Sequence, residues 1–178
     1  VAREVTVDTT KKTLVVHDGS TAGGTPLMKE SGNSADVIFN GVSVGKGNNS
    51  VTNNTVVGLN ALDANVTGDH NTAIGKGSLT ENTSGTRNVA IGSNNCLGTN
   101  TTGNDLVAIG RQALASNTTA NDNTAVGSAA LLTNSTGTRN TALGRATLNA
   151  NTTAHDNTAV GYFALLANTT GANNVAVG

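Results

Sequence analysis

The chain alternates short apolar and polar stretches with a period of seventeen residues. From Gly58 onward, glycines close near-identical phrases such as Asn-Thr-Ala-Ile-Gly at 71–75, and they are spaced 17, 17, 18, 17, 17, 17 and 17 residues apart. A fixed short period is the signature of a stacked repeat array. Within each phrase, side chains alternate at a period of two, which predicts a β-strand. The sequence therefore predicts one short strand stacked on the next.

The alternation gives each predicted strand a bulky side and a small side. We expect the bulky side to face the interior because it carries the aliphatic residues. These are Val57, Ile74, Ile91, Ile109, Val126, Leu143, Val160 and Val177. The other side carries alanine, and a strand without bulk on its outer face lets another backbone approach closely. The candidate residues for contact between chains are therefore Ala73, Ala90, Ala108, Ala125, Ala142 and Ala159.

The rest of each repeat carries a second apolar column and a polar turn. A leucine follows four residues after most of the glycines, as at Leu114 and Leu131, and the 18-residue repeat takes its extra residue just before Cys96. An asparagine stands about seven residues after each glycine, usually followed by Thr and Gly. Such residues suit turns that need local side-chain hydrogen bonds or positive φ.

Each repeat is thus predicted to hold two short strands and a turn that returns the chain one strand spacing, about 4.8 Å, further along. The predicted fold class is all-β: an N-terminal β-hairpin module followed by a parallel β-roll, or solenoid, of about eight 17-residue coils. The predicted ranges are 1–27 for the hairpin module, 28–41 for a linker and 42–178 for the roll.

Composition narrows the functional classes. Charged residues make up 12% of the chain, about half the usual share. The net charge is −1 with no basic cluster, so we expect no nucleic-acid partner. No apolar run approaches the ~20 residues of a membrane helix, so we expect no membrane insertion. The chain begins at Val1 and ends at Gly178 within a repeat, which predicts a piece of a longer polypeptide.

One coil is energetically weak by itself. About three inward aliphatic side chains bury little apolar surface, whereas ordering seventeen residues costs much conformational entropy. Burying a second face against other copies of the chain is a physically simple remedy. The energetics therefore favour association between chains but do not fix their number.

Two repeat phrases carry a family resemblance. Asn-Val-Ala-Ile-Gly at 88–92 and Asn-Val-Ala-Val-Gly at 174–178 resemble the head repeats of trimeric autotransporter adhesins. The resemblance implies a left-handed parallel β-roll in a homotrimer. The repeat is longer here, with the surplus in the Asn-Thr-Thr-Gly turn, and in this it looks like repeats of phage tail fibre proteins.

The N-terminal segment carries a second and denser resemblance. Residues 4–10 (Glu-Val-Thr-Val-Asp-Thr-Thr) and 13–27 are similar to the N-terminal module of major tropism determinant-like phage receptor-binding proteins. The residues themselves predict a hairpin with strands at 4–8 and 13–17, a turn at 9–12 and a Gly-rich loop. The resemblance implies a module towards the virion end of a trimeric fibre.

Candidate chemistry is sparse. His17-Asp18 lacks a third metal ligand nearby, and a strand end followed by a turn explains it equally well. His70 and His155 precede the strand phrase in different repeats, and we expect both on the surface. Cys96 stands in a column of small residues, which predicts a buried thiol. We therefore expect no catalytic residues, no metal site, no cofactor and no enzymatic activity.

Tyr162 and Phe163 are the adjacent aromatics of the chain, at a bend that carries Ser128-Ala129 or Arg145-Ala146 in other repeats. Exposed aromatic side chains anchor ligands, so these two are candidate receptor contacts for a glycan or a protein. The alternative is packing at the corner of a coil.

Three functional hypotheses follow. The first is a structural and adhesive segment of a trimeric phage tail fibre, located in the virion on its extracellular face. Its partners would be its own copies, other tail proteins and a host surface receptor. The second is the head of a bacterial trimeric surface adhesin. The third, an ice-binding solenoid, comes from the Asn-Thr-Thr turns, although regular Thr-x-Thr strands are missing.

Overall fold

The computed structural model describes residues 4–8, 13–17, 25–26, 29–30, 37–39, 42–47 and 51–178, and no helix occurs in these ranges. All regular elements are β-strands. They are β1 (Glu4–Asp8), β2 (Thr13–His17), β3 (Thr25–Pro26), β4 (Lys29–Glu30), β5 (Val37–Phe39), β6 (Val42–Gly45), β7 (Thr55–Val57), β8 (Thr72–Ile74), β9 (Val89–Ile91), β10 (Val107–Ile109), β11 (Thr124–Val126), β12 (Thr141–Leu143), β13 (Thr158–Val160) and β14 (Val175–Val177).

The N-terminal strands form the predicted hairpin. β1 and β2 pair antiparallel, with Glu4 opposite His17 and Asp8 opposite Thr13, and β3 adds a third antiparallel strand next to β2. The strand bounds agree with the sequence prediction. The predicted turn at 9–12 and the Gly-rich loop lie outside the described residues.

A second sheet of eleven strands runs from β4 to β14. Strands β4 and β5 lie within 28–41, the range predicted as a linker, and they pair antiparallel with each other and onward to β6. β6 also pairs antiparallel with β7. Parallel pairing in this sheet therefore begins with β7 and β8, after an antiparallel ribbon.

From β7 to β14 every neighbouring pair is parallel and in register, for example Ala108 beside Ala125 and Ile109 beside Val126. The pairing also holds across the 18-residue repeat, where Ala108 lies beside Ala90. The extra residue is therefore absorbed outside the strands. The predicted parallel solenoid, a stack of like strands from successive repeats, is confirmed.

The predicted orientation of the strands is wrong. The six alanines proposed for contact between chains are completely buried inside the roll: Ala73, Ala90, Ala108, Ala125, Ala142 and Ala159. The aliphatic column faces outward, and Ile109 and Leu143 keep 36% and 37% of their surface exposed. The reason is space, since each coil interior is already filled by a fully buried leucine such as Leu114 or Leu131.

The second strand predicted in each repeat does not form. After the glycine, alternate residues take positive φ, as at Ala129 (φ 59°) and Leu131 (φ 48°), which excludes an extended strand there. The segment still bonds to its neighbours, because Leu131 N–H donates to the carbonyl of Thr147 in the next coil at 3.0 Å. The leucine column itself is confirmed as core: Leu62, Leu79, Leu97, Leu114, Leu131 and Leu148 are fully buried.

Two columns of buried asparagine run the length of the roll. In the predicted turn, Asn151 Nδ2 donates to the carbonyl of Ala154 at 3.1 Å and to Oδ1 of Asn134 in the preceding coil at 2.8 Å. In the column just before the strand, Asn140 Nδ2 donates to the carbonyl of Ala154 at 2.8 Å, and Asn140 Oδ1 accepts from the amide N–H of Asn157 at 3.1 Å. These side chains satisfy backbone groups in an interior that has no second strand to pair them.

Candidate functional site

The outer face of the strands is an apolar surface with nothing packed on it in the single chain. It consists of the aliphatic column and, two residues earlier in each coil, a column of Thr and Val such as Val89 and Val107. In the central coils these side chains are half-buried or exposed, and parallel neighbours bring them into one continuous stripe. A continuous exposed apolar surface of this kind marks an interaction site.

Tyr162 and Phe163 lie at the corner where the chain leaves β13. The N–H of Phe163 donates to the carbonyl of Arg145 at 3.1 Å, so this corner stacks directly on the preceding one. The two rings are tilted by 35° with centroids 4.0 Å apart. Tyr162 is 61% exposed and Phe163 is 39% exposed, so neither ring belongs to the core.

Arg145 joins this aromatic pair into a cluster. Its guanidinium carbon lies 5.5 Å from both ring centroids, within the range of a cation–π interaction. Its Nη1 donates to the hydroxyl of Tyr162 at 2.8 Å. The sequence placed the two aromatics at this bend but did not identify Arg145, which is seventeen residues away and is a neighbour only after the coils stack.

Phe163 has a backbone conformation that does not favour phenylalanine. Its φ is 61°, in the left-handed region that Gly and Asn tolerate best. The same corner position holds Asn60, Gly77, Ala129 and Ala146 in other coils, all with φ between 54° and 66°. The conformation therefore comes from the repeat.

A second edge of the roll, just before the strands, is neutralised by ion pairs between successive coils. Arg87 donates to Asp105 and Arg139 to Asp156, each through Nε and one terminal nitrogen, at 2.6–2.9 Å. The pKa of Asp156 is lowered to about 2, chiefly by the hydrogen bond from Arg139 and then by that from His155.

The histidines occur where the sequence predicts them. His70 and His155 are exposed turn residues, each close to a neighbouring aspartate, at 3.1 Å from Asp69 and 2.6 Å from Asp156. Within the described part of the chain, no group of three metal-ligating side chains comes together. The side chains of His17 and Asp18 lie outside the described residues.

Cys96 is fully buried, as its column predicts. Burial raises the pKa of its thiol to about 12, and Sγ lies 3.3 Å from the carbonyl oxygen of Ala108. A thiol so buried and so weakly acidic has no nucleophilic character at neutral pH. The described ranges also contain no helix long and apolar enough to cross a membrane.

The N-terminal strands carry the similarity to known proteins. Residues 1–21 match the family model of the major tropism determinant N-terminal domain. Over 28 residues the chain is 71% identical to the tail fiber receptor-binding protein of Bordetella phage BPP-1. The aligned segment covers 16% of this chain and 7% of that protein. No solved structure matches the chain.

The similarity to phage proteins and the repeat fold occur in one chain. The chain combines an N-terminal segment of the phage tail-fibre type with a β-solenoid of seventeen-residue coils. Both parts of the predicted resemblance, the phage module and the β-roll repeat, are therefore supported. The chain has the features of a phage tail fibre protein.

Proposed function

We propose that this chain is a structural and adhesive segment of a homotrimeric phage tail fibre, joining a virion-side module to binding of a host surface receptor. The observation that carries the proposal is the match of residues 1–21 to a phage receptor-binding family, in one chain with a long solenoid. In this proposal the chain has no catalytic role and is located in the virion, on its extracellular face.

Hydrogen bonds join each coil of the roll to the next, as a mechanically stable fibre requires. Each coil bonds to the next along the strands, at the corner after the strand and in the turn. Buried asparagine side chains add further bonds between coils, such as Asn151 to Asn134. Load along the axis is therefore shared among many parallel hydrogen bonds, and few segments are loose enough for a protease.

The exposed aliphatic stripe supports association between chains. This stripe, and not the buried alanine column, is the candidate surface for contact between chains, because it is the face left uncovered in a single chain. Covering it removes apolar surface from water in every coil, at about 25 cal/mol per Å². Three copies is the number implied by the resemblance to adhesin heads.

The proposed location in the virion can be tested on purified particles of the virus that carries this gene. We expect mass spectrometry of purified particles to detect peptides of this chain, and antibodies against residues 51–178 to label the tail in electron micrographs. Finding the chain in a cell envelope and absent from particles would contradict the tail-fibre proposal and favour the bacterial adhesin.

A further inference from the structure

The corner that follows each strand carries a regular series of cations. The first residue after the glycine is Lys76, Arg111 and Arg145 in alternate coils, with serine in the coils between them, and the series ends at Tyr162. We define the basic corner as Lys76, Arg111 and Arg145 together with Tyr162 and Phe163. All five residues are exposed.

The backbone holds these positions in a fixed ladder. The N–H of Ala129 donates to the carbonyl of Arg111 at 2.9 Å, that of Ala146 to Ser128 at 2.9 Å, and that of Phe163 to Arg145 at 3.1 Å. Successive coils rise by about 4.8 Å, so alternate coils place their cations about 10 Å apart. The backbone of the corner is therefore a regular ladder from Arg111 to Phe163, and its exposed side chains place positive charges at regular intervals.

The charges of the basic corner are available to a ligand. Arg87 and Arg139, on the edge before the strands, are each neutralised by an aspartate of the next coil. Among the described residues, no ion pair involves Lys76, Arg111 or Arg145. Arg145 instead lies over the aromatic rings and bonds to the Tyr162 hydroxyl, which orients its guanidinium.

We propose that the basic corner binds a linear acidic polysaccharide, and that this is the host receptor class of the proposed tail fibre, on which the inference rests. The exposed face of Tyr162 offers a stacking surface for a sugar ring. Arg and Lys recognise carboxylate groups, with Arg able to make two parallel hydrogen bonds. A glycan with one acidic sugar in each disaccharide presents charges at a spacing comparable to that of the corner.

A periodic ligand fits this surface better than a folded protein does. The basic corner consists of exposed side chains, whereas protein interfaces centre on a buried anchor held in a well-packed pocket. Its serines, Ser93 and Ser128, stand between the cations and supply hydroxyl groups suited to neutral sugars. Charge and hydroxyl groups therefore alternate along the corner, as acidic and neutral sugars do along the proposed ligand.

The test uses the purified 178-residue chain and hyaluronan oligosaccharides, in which a uronic acid alternates with a neutral sugar. We expect calorimetry or biolayer interferometry to show binding to hyaluronan and none to neutral dextran at the same sugar concentration. We expect Tyr162→Ala to weaken binding at least tenfold, and Arg111→Gln and Arg145→Gln at least threefold each. Binding should also weaken as salt is raised.

The matched control is Arg87→Gln, which removes an exposed arginine from the neutralised edge and should leave hyaluronan affinity unchanged. Circular dichroism of each variant verifies folding. Equal binding to dextran, no binding to hyaluronan, or an equal loss in Arg87→Gln would each overturn the proposal. These outcomes concern the ligand alone, so they are separate from detection of the chain in virus particles.

Discussion

We expect Gly127→Ala to destabilise the roll by about 3–5 kcal/mol, the sum of backbone strain and overpacking. Gly127 closes strand β11 with φ 136°, and a Cβ there would lie less than 3.0 Å from the carbonyl carbon and oxygen of Gly144. Both atoms belong to backbone in the next coil, so no side-chain rotation relieves the clash. At the stacked glycines, one coil lies too close to the backbone of the next to leave room for a side chain.

Gly77→Ala is the matched control. Gly77 also has positive φ (66°), but its Cβ would meet only Thr80 Oγ1, at an ordinary 3.6 Å. We expect a loss of about 1 kcal/mol from conformation alone. Thermal unfolding followed by circular dichroism, at equal protein concentration, compares the two variants. Similar losses at both sites would show that contact between coils at the glycines is looser than described.

A second large effect is expected in the asparagine column before the strands. Asn140→Leu keeps the volume of the side chain but leaves the buried N–H of Asn157 without its acceptor, and it removes one of the two side-chain donors to the carbonyl of Ala154. A buried N–H left unsatisfied costs about 1–3 kcal/mol, so we expect a loss of about 1–3 kcal/mol. A more hydrophobic side chain at position 140 should therefore destabilise the roll.

The reverse substitution tests the same idea. Leu106 occupies the asparagine column naturally, and its N–H already donates to Asn88 Oδ1 at 3.1 Å. We expect Leu106→Asn to cost less than about 1 kcal/mol, because the new amide reaches the same partners as its neighbours in the column. Leu114→Asn, which buries an amide in the leucine column, should cost about 3 kcal/mol or more. Equal losses of stability at positions 106 and 114 would contradict the hydrogen bonding described for the asparagine column.

The period and the stacking were accessible from sequence because they depend on spacing alone. Glycines seventeen residues apart fix one strand per coil and force like residues to stack, as Ala108 and Ala125 do. The hairpin at 4–17 was equally clear from two alternating runs. Neither inference needs knowledge of which side of a strand is inside.

The orientation of the strands was not accessible, because alternation defines two faces without saying which one is enclosed. The aliphatic face was assigned inward on hydrophobicity, yet Leu131 and the buried asparagines leave room only for Ala125 beside them. The leucine column wrongly indicated a second strand in each repeat. Alternate residues with positive φ, such as Ala129 and Leu131, give a period of two along the sequence without forming a strand.

Only part of the candidate site can be predicted from the sequence. An aromatic pair at a bend is visible in the sequence, but the contact of Arg145 with Tyr162 joins coils seventeen residues apart. The neutralised edge is similar, since Arg139 finds Asp156 only through stacking. Once the repeat register is known, both contacts follow from comparing residues one period apart.

We propose that the uncovered aliphatic face joins copies of this chain, and the resemblance to adhesin heads implies three copies. Native mass spectrometry of the purified chain at micromolar concentration tests it most directly. We expect one dominant species with the mass of three chains. A stably folded species with the mass of a single chain would contradict it.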